Sequence, residues 1–518
     1  MSPFSRPLIT TLALLALGTA AGAQECEVPL IPAGAVASAS KQVATSGDWL
    51  VMSGNEDIVV YRRVAGDWQQ HQSLPTTATG SDCYRLALEG SLLAVGETTQ
   101  PVRTFELQGS SWVQTGSLVD PQGHPHFGWD LALDGDWLAV GVPGDLRVEL
   151  FERTAGGWSH RQSIHEPGAA WNFGLPVAMD SGRLAVGEQQ LDGLRGAVYT
   201  FELVGGAWVP SGDARQPDAV PGDRFGCALA YDGNRLLVGA RGRGGDAGAV
   251  FAFEQRPGGW RFLQELRGDP VPDALGLDLT VTPTHLVAAA PFNNFLAPDV
   301  GSVLLFERTA QGYDRVGYLY QQDLQAGTTF GTPLASGGSE VFVGGRAAPG
   351  LGAIYRLDLD CYLSGAANTF CPCSTGACGN LGTGTSGCAN SAGPGATLAV
   401  DTGSFSASTD DLVLRASGLP PGSFGVVFLG ELGSTNAPLG AGRLCLGAPY
   451  CRFPVRAVDA GGALLEGPGI RANAPSGCPH GPIAQFRTFG VQCWYRDPGG
   501  PCGEASNLTN GLAITLTL

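Results

Sequence analysis

The sequence predicts an all-β protein, a seven-bladed β-propeller followed by a disulfide-rich β-sandwich. Three observations carry that expectation. Charged residues are only 15% of the 518 while hydrophobic ones are 43%, enough apolar material for large cores but too few Glu, Lys and Arg for solvent-facing helices. Glycine (78) and proline (35) are plentiful, yet together they stay below the roughly 25–30% that marks low-complexity chains. A strand–turn–strand pattern then recurs seven times at a spacing of 43 to 55 residues, and a unit of that size repeated around a ring is how a propeller is built.

Residues 1–23 hold Arg6, the apolar stretch Leu8–Gly18 and then Ala21-Gly22-Ala23, the order of a signal peptide with cleavage expected after Ala23. The apolar stretch is too short to cross about 30 Å of hydrocarbon as a helix, and no later segment is longer, so no transmembrane span is expected. The net charge of −17 disfavours nucleic acid and anionic membranes, both of which need clustered cations. Lys41 is the only lysine, which removes Schiff-base chemistry and phosphate-loop lysines almost everywhere.

The repeat occupies residues 24–360. Its first two strands read Val43-Ala-Thr-Ser-Gly-Asp-Trp-Leu50, Leu86-Ala-Leu-Glu-Gly-Ser-Leu-Leu93 and Leu131-Ala-Leu-Asp-Gly-Asp-Trp-Leu138, with further copies at Val177–Leu184, Leu229–Leu236, Leu279–Leu286 and Leu334–Val341. Phe127-Gly128, Phe173-Gly174, Phe225-Gly226 and Phe330-Gly331 stand just upstream of four copies, with Leu275-Gly276 as a variant. A third and a fourth strand follow, marked by two aromatics seven positions apart: Tyr61 and Trp68, Phe105 and Trp112, Phe151 and Trp158, Phe201 and Trp208, Phe253 and Trp260, Phe306 and Tyr313. A constant offset means a hairpin of fixed length, and the intervening Gly-rich pairs permit the positive φ of tight turns. Aromatics that recur in every unit are expected to pack between strands rather than hold a ligand.

The seventh copy supplies three strands, ending at Tyr355–Asp360, and the orphan segment Cys26–Pro32 reads as the end of a fourth. Pairing the two would close the ring and remove both exposed edges. A Cys26–Cys361 disulfide would lock that closure; leaving Cys361 in the tail instead gives the tail ten cysteines, an even set.

Phe225-Gly-Cys-Ala-Leu-Ala-Tyr-Asp-Gly-Asn-Arg-Leu-Leu-Val-Gly-Ala240, with Gly248-Ala-Val-Phe-Ala-Phe-Glu254 after it, resembles the FG-GAP repeat of integrin-α-type propellers. The resemblance implies an extracellular propeller used for adhesion or ligand capture, often without catalysis. Many members carry calcium loops between the first two strands. Here those loops are reduced to pieces such as Asp134-Gly135-Asp136 and Ser46-Gly47-Asp48, too short to wrap an ion that takes six to eight oxygens. No cofactor is therefore expected, with calcium the one candidate.

In a four-stranded blade the first–second and third–fourth turns emerge on one face, and the second–third and blade-to-blade connections on the other. The first set is short throughout. The second is long and variable, at Gly187–Gly196, Gly239–Gly248, Ala290–Gly301, Leu118–His126 and Asp213–Arg224, so this face is expected to carry recognition. Catalytic signatures are sparse. His124-Pro-His126 lacks a third metal ligand, and His165-Glu166-Pro167 begins like a zinc-protease motif that proline then forbids. Asp145, Asp223 and Asp246 are the carboxylates that could pair as acid and base if the chain were a glycosidase.

Thirteen cysteines, ten of them from Cys361 to Cys502, indicate disulfides formed in an oxidising compartment. The candidates are Cys26, Cys361, Cys371, Cys373, Cys378, Cys388, Cys445, Cys451, Cys478, Cys493 and Cys502. A cysteine-rich neck is placed at 361–395 and a β-sandwich at 396–518, with strands at Thr397–Val400, Leu412–Ala416, Gly425–Leu429, Arg452–Val458, Gln485–Arg496 and Leu512–Leu518. Phe489–Pro498, with Cys371-Pro-Cys373 and Gly387-Cys-Ala-Asn-Ser391, resembles a C-terminal module of assorted secreted bacterial proteins. Asn507-Leu-Thr509 fits a glycosylation acceptor, but a turn before the final strand is the preferred reading. The expectation for the whole is a secreted or cell-surface, monomeric, non-catalytic protein that binds an extracellular protein or glycan. A secreted carbohydrate-active enzyme and a structural envelope or matrix component are the alternatives.

Overall fold

The structure is a computed structural model, and it describes residues 27–30, 42–53, 58–75, 84–97, 101–124, 126–166, 168, 172–268, 273–293, 301–319, 329–348, 351–360, 366–370, 381–382, 386–406, 409–474, 488–500 and 503–515. Among these, seven four-stranded antiparallel sheets follow one another along the chain. Sheet 1 comprises Gln42–Ser46, Trp49–Ser53, Ile58–Val64 and Asp67–Leu74; sheet 3 comprises Asp130–Asp134, Trp137–Val142, Arg147–Thr154 and Gly157–His165. Sheet 2 lies within 84–118, sheet 4 within 177–214, sheet 5 within 225–267 and sheet 6 within 279–319. The first strand of each sheet touches the first strand of the next, and that of sheet 7, Leu334–Gly337, returns to Gln42–Ser46. The result is a closed ring with first strands innermost, a β-propeller.

Sheet 7 takes its fourth strand from the other end of the chain. Glu27–Leu30 runs antiparallel to Leu351–Asp358, with Glu27 opposite Leu357 and Leu30 opposite Ile354. The sheet edge that would otherwise stay open is thereby paired. Cys26 and Cys361, the expected lock, lie outside the described residues.

The recurrent aromatics pack between sheets, as their regular spacing requires. Trp112 of sheet 2 meets Trp49 of sheet 1 edge to face at 5.6 Å, and Trp208 of sheet 4 meets Trp137 of sheet 3 in the same way at 5.6 Å. Trp68 of sheet 1 stands on Phe342 of sheet 7, so the same contact crosses the ring closure. The turn before the outer strand is two residues long in sheets 1 to 5 and runs Thr309–Gly312 in sheet 6, and Ala65-Gly66 and Gly205-Gly206 both hold positive φ at both positions, as a type I′ hairpin demands. Directly before the inner aromatic of each of these six sheets the pairing slips by one residue, for example between Val60 and Tyr61 and between Ala252 and Phe253. Such a bulge increases local twist.

The Phe-Gly pairs have a steric basis. Phe173 and Phe225 are fully buried, and the glycine after each turns the backbone to positive φ. The Gly174 carbonyl then lies against Gly141 of sheet 3, where a Cβ would come within 2.0 Å of it. Only glycine lets the two sheets approach this closely.

Beyond the ring, a seven-stranded sheet and a three-stranded sheet share one apolar core, to which Leu398, Leu414 and Leu464 of the smaller sheet and Val427, Val491 and Ile514 of the larger contribute. Several features depart from expectation, among them the expected strand Arg452–Val458, which is reduced to Arg456–Ala457. Ala366–Phe370, within the expected neck, pairs with Gly511–Thr515 and so belongs to the larger sheet. Phe424–Leu439 is a single 16-residue strand against Gly442–Arg452, where the sequence indicated a strand at Gly425–Leu429 alone. Cys388, Cys445 and Cys451 are disulfide-bonded. Cys493 corrects the expectation for it: the thiol is free and fully buried in the shared core, and burial pushes it up to about 12. Its position on a central strand gives it the place of a small hydrophobic side chain. Cys26, Cys361, Cys371, Cys373, Cys378, Cys478 and Cys502 lie outside the described residues. Asn507 is buried and donates its amide to the carbonyls of Cys388 and Ala389 at 3.3 and 3.0 Å, a structural role that leaves no room for a glycan.

Candidate functional site

Two groups of polar residues occupy the ring: one where the innermost strands begin, the other beneath the long connections.

Asp130 opens the first strand of sheet 3, and Asp278 directly precedes that of sheet 6. Each carboxylate accepts a backbone N–H from the next sheet, Asp130 from Val177 at 2.8 Å and Asp278 from Leu334 at 2.9 Å. The second oxygen of Asp278 takes the Leu279 N–H at 2.8 Å, and Asp130 lies 3.8 Å from the Arg85 guanidinium. Burial pushes the Asp278 carboxyl up to about 6, against the pull of the two N–H groups; Asp130 raises it further and Arg85 lowers it. Burial likewise raises Asp130, with Arg85 and backbone N–H groups opposing. Cys227 stands one residue before the corresponding position of sheet 5, a free thiol that donates to the Gly276 carbonyl at 3.3 Å. Burial pushes it up to about 11, so it stays a thiol at neutral pH and is a poor nucleophile. These carboxylates act as struts between neighbouring sheets.

The long-loop face is organised by arginines that the sequence reading did not single out. Arg147, fully buried, receives Asp120 at 2.5 Å from the crossing stretch, Asp145 at 2.6 Å from the short turn Pro143–Asp145, and Glu149 from its own strand. Burial pushes the Asp120 carboxyl up, but Arg147 and the N–H groups of Gln122 and His124 outweigh it and hold it below its usual value. Arg243 repeats the design in sheet 5. It binds Asp218 at 2.9 Å, Asp223 at 3.1 Å and Glu265 at 3.0 Å, and its Nη1 also donates to the Asp218 carbonyl at 3.0 Å. In sheet 2 Arg103 pairs with the fully buried Glu97. A guanidinium donates in several directions from one plane, so a single buried arginine can pin a crossing stretch to the strand beneath it. The only sequence signal was an arginine next to a second–third connection, which in isolation reads as surface.

Two of the three candidate catalytic carboxylates are therefore committed elsewhere. Asp145 is bound to Arg147, and Asp223, 1% exposed, accepts from Arg243, Gln216 and the Val220 N–H. Asp246 is exposed in the loop Arg243–Asp246. His160 and Ser163 come close to Glu149, but not as a triad. The Ser163 hydroxyl donates to Glu149 at 2.6 Å, and Glu149 meets the same His160 nitrogen, Nε2, that lies 3.4 Å from Ser163; a triad needs the acid on the opposite nitrogen. His124 accepts the His126 N–H at 3.2 Å and donates its own N–H to Asp120 at 2.5 Å. The pair thus shapes a turn, and among the described residues no three His, Cys, Asp or Glu side chains are grouped to hold a metal ion.

What reaches solvent above these pins is charged, with Arg195 36% and Arg215 45% exposed among the carboxylates. Asp192 and Asp218 are each 72% exposed and Asp145 is 41% exposed at the side chain. Among the described residues no helix is long and apolar enough to cross a membrane.

No curated protein matches the chain. A chain of a solved structure titled "Crystal Structure of Mitotic Checkpoint Complex" aligns at 13% identity and TM-score 0.45, over 68% of this chain and 98% of that one. Residues 214–253, which cover one crossing stretch of the long-loop face and the first three strands of sheet 5 to Phe253, match the family described as FG-GAP repeat.

Proposed function

We propose that the chain is exported, with residues 1–23 removed after Ala23, and acts outside the cell as a monomeric, non-catalytic binding protein. Its long-loop face recognises an extracellular protein or glycan. One observation carries this reading: the connections on that face are held by buried arginines that spend their charge internally, while Asp192, paired with Arg195, and Asp218, paired with Arg243, keep most of their carboxylate surface in solvent. A rigid, acidic surface pre-pays the ordering cost of binding and selects partners that present cationic groups. The absence of catalysis is supported by the commitment of Asp130, Asp145, Asp223 and Asp278 to guanidinium or backbone partners.

The test is a binding screen of the mature chain, residues 24–518, against extracellular proteins and glycans, repeated with Gly187–Gly196 shortened to a two-residue turn and with Asp192→Asn and Asp218→Asn. Captured partners should be rich in basic surface, lose affinity about tenfold or more with the loop variants, and dissociate as salt rises. Binding indifferent to all three changes would move the site off this face.

A further inference from the structure

The outer face of the seven-stranded sheet carries a groove that the proposed binding role does not use. Val426 and Phe428 lie two apart on one strand and Trp494 sits on its neighbour opposite Val426, so alternation places all three on the same face. Leu444, Tyr450 and Arg452 of the next strand and Leu439 at the hairpin complete a groove of about 320 Å³, within the range of pockets that hold small ligands. It is apolar almost throughout. Phe428 and Tyr450 meet edge to face at 5.8 Å, the Tyr450 hydroxyl already donates to the Leu446 carbonyl at 3.1 Å, and Leu439 stays 42% exposed.

The charge around it is one-sided. Arg452 lines the groove, and the Arg496 guanidinium lies over the Trp494 ring at 6.0 Å. Both are exposed, and among the described residues neither meets a carboxylate. In a chain of net charge −17, Arg147 and Arg243 of the long-loop face each meet three carboxylates, whereas these two guanidiniums stand beside an apolar slot. Among the described residues no carboxylate lines the slot. A sugar would need acceptors and donors along its length, and the lining offers only a hydroxyl already in use and one arginine.

We infer that this groove binds an amphipathic anion, a long-chain carboxylate whose alkyl body lies over Phe428, Tyr450 and Trp494 and whose head is held by Arg452 and Arg496. The recognition is bipartite: hydrocarbon burial sets affinity, and the guanidiniums select for negative charge.

The experiment titrates the mature full chain with C8, C10 and C12 carboxylates below their micellar concentrations, reading tryptophan fluorescence and calorimetry, alongside the alcohols and amines of equal length. Affinity should rise about fourfold for each methylene buried, carboxylates should exceed alcohols about tenfold or more, and amines should be weakest. Arg452→Gln with Arg496→Gln should abolish the preference for carboxylate while leaving alcohol binding in place, a control that the sheet is folded. Leu439→Asp, at an exposed position, should weaken every ligand. Affinity independent of chain length, alcohols equal to carboxylates, or tighter binding of a glycan would each overturn the proposal. So would a dimer in size-exclusion chromatography that Leu439→Asp converts to monomer, which would make a second copy the occupant.

Discussion

Arg147 has no exposed surface and meets three carboxylates, two of which arrive from connections rather than strands. A buried ion pair adds little net stability when built, but removing one partner strands the others. Arg147→Met should therefore destabilise the protein by about 3–5 kcal/mol, read as a lower denaturant midpoint, and should loosen Asp120 and its crossing stretch first. A loss below about 1 kcal/mol would mean that the carboxylates find other partners. Asp278 makes the opposite kind of contribution. An unfolded aspartate titrates near 3.8, whereas burial lifts this one to about 6, so between those values the native state holds a proton the unfolded chain has released. Stability from this group falls as pH rises through that window. Denaturant midpoints measured from pH 4 to 7 should decline less steeply in Asp278→Asn than in the parent, and an unchanged slope would assign the titration elsewhere.

At the scale of the element, the joints between sheets alternate. Gln72 of sheet 1 brackets Trp112 of sheet 2, donating to its carbonyl and accepting its N–H, both at 2.8 Å. Gln162 does the same for Trp208 of sheet 4, and Gln264 for Tyr313 of sheet 6. In sheets 2, 4 and 6 the matching positions are Gly116, Gly212 and Gly317. After sheets 2 and 4 the following tryptophan approaches instead, Trp158 beside Gly116 and Trp260 donating to Thr200 at 2.9 Å. Gln162→Ala removes two hydrogen bonds and should cost about 1–3 kcal/mol by chemical denaturation, whereas Gln114→Ala, on an exposed stretch of sheet 2, should change little. Equal effects would remove the clamp from the account.

The first two strands, the hairpin length and the Phe-Gly junction were legible because each is a local rule: alternation, positive φ, a missing Cβ. The bulge before Tyr61 and the arginine pins were not, since both depend on what the neighbouring strand or crossing stretch brings within reach. Nor was the free state of Cys493 visible, because composition argues for disulfides in the module as a whole while burial decides for the single thiol. The 16-residue strand Phe424–Leu439 was hidden by its two glycines after Leu429, Gly430 and Gly433, which read as a turn.

At the scale of the whole molecule, the ring is closed by Glu27–Leu30. Without a fourth strand, sheet 7 would present Leu351–Asp358 as an open edge, and the core shared by Phe342 and Ile354 of sheet 7 with Leu50, Tyr61 and Trp68 of sheet 1 would lose its cover. A closed ring should unfold as one unit, because each sheet is buttressed on both sides. An open one would fray from its ends, as linear arrays do.

Hydrogen exchange read residue by residue on the mature chain, with and without residues 24–32, tests this most directly. In the intact protein the amides of Leu351–Asp358 should exchange as slowly as those of Arg235–Ala240 in sheet 5; in the shortened one they should exchange at least about tenfold faster, with Gln42–Ser46 loosening beside them. Identical protection in both chains, or rapid exchange across Leu351–Asp358 in the intact one, would contradict the closed ring and with it the surface assigned to recognition.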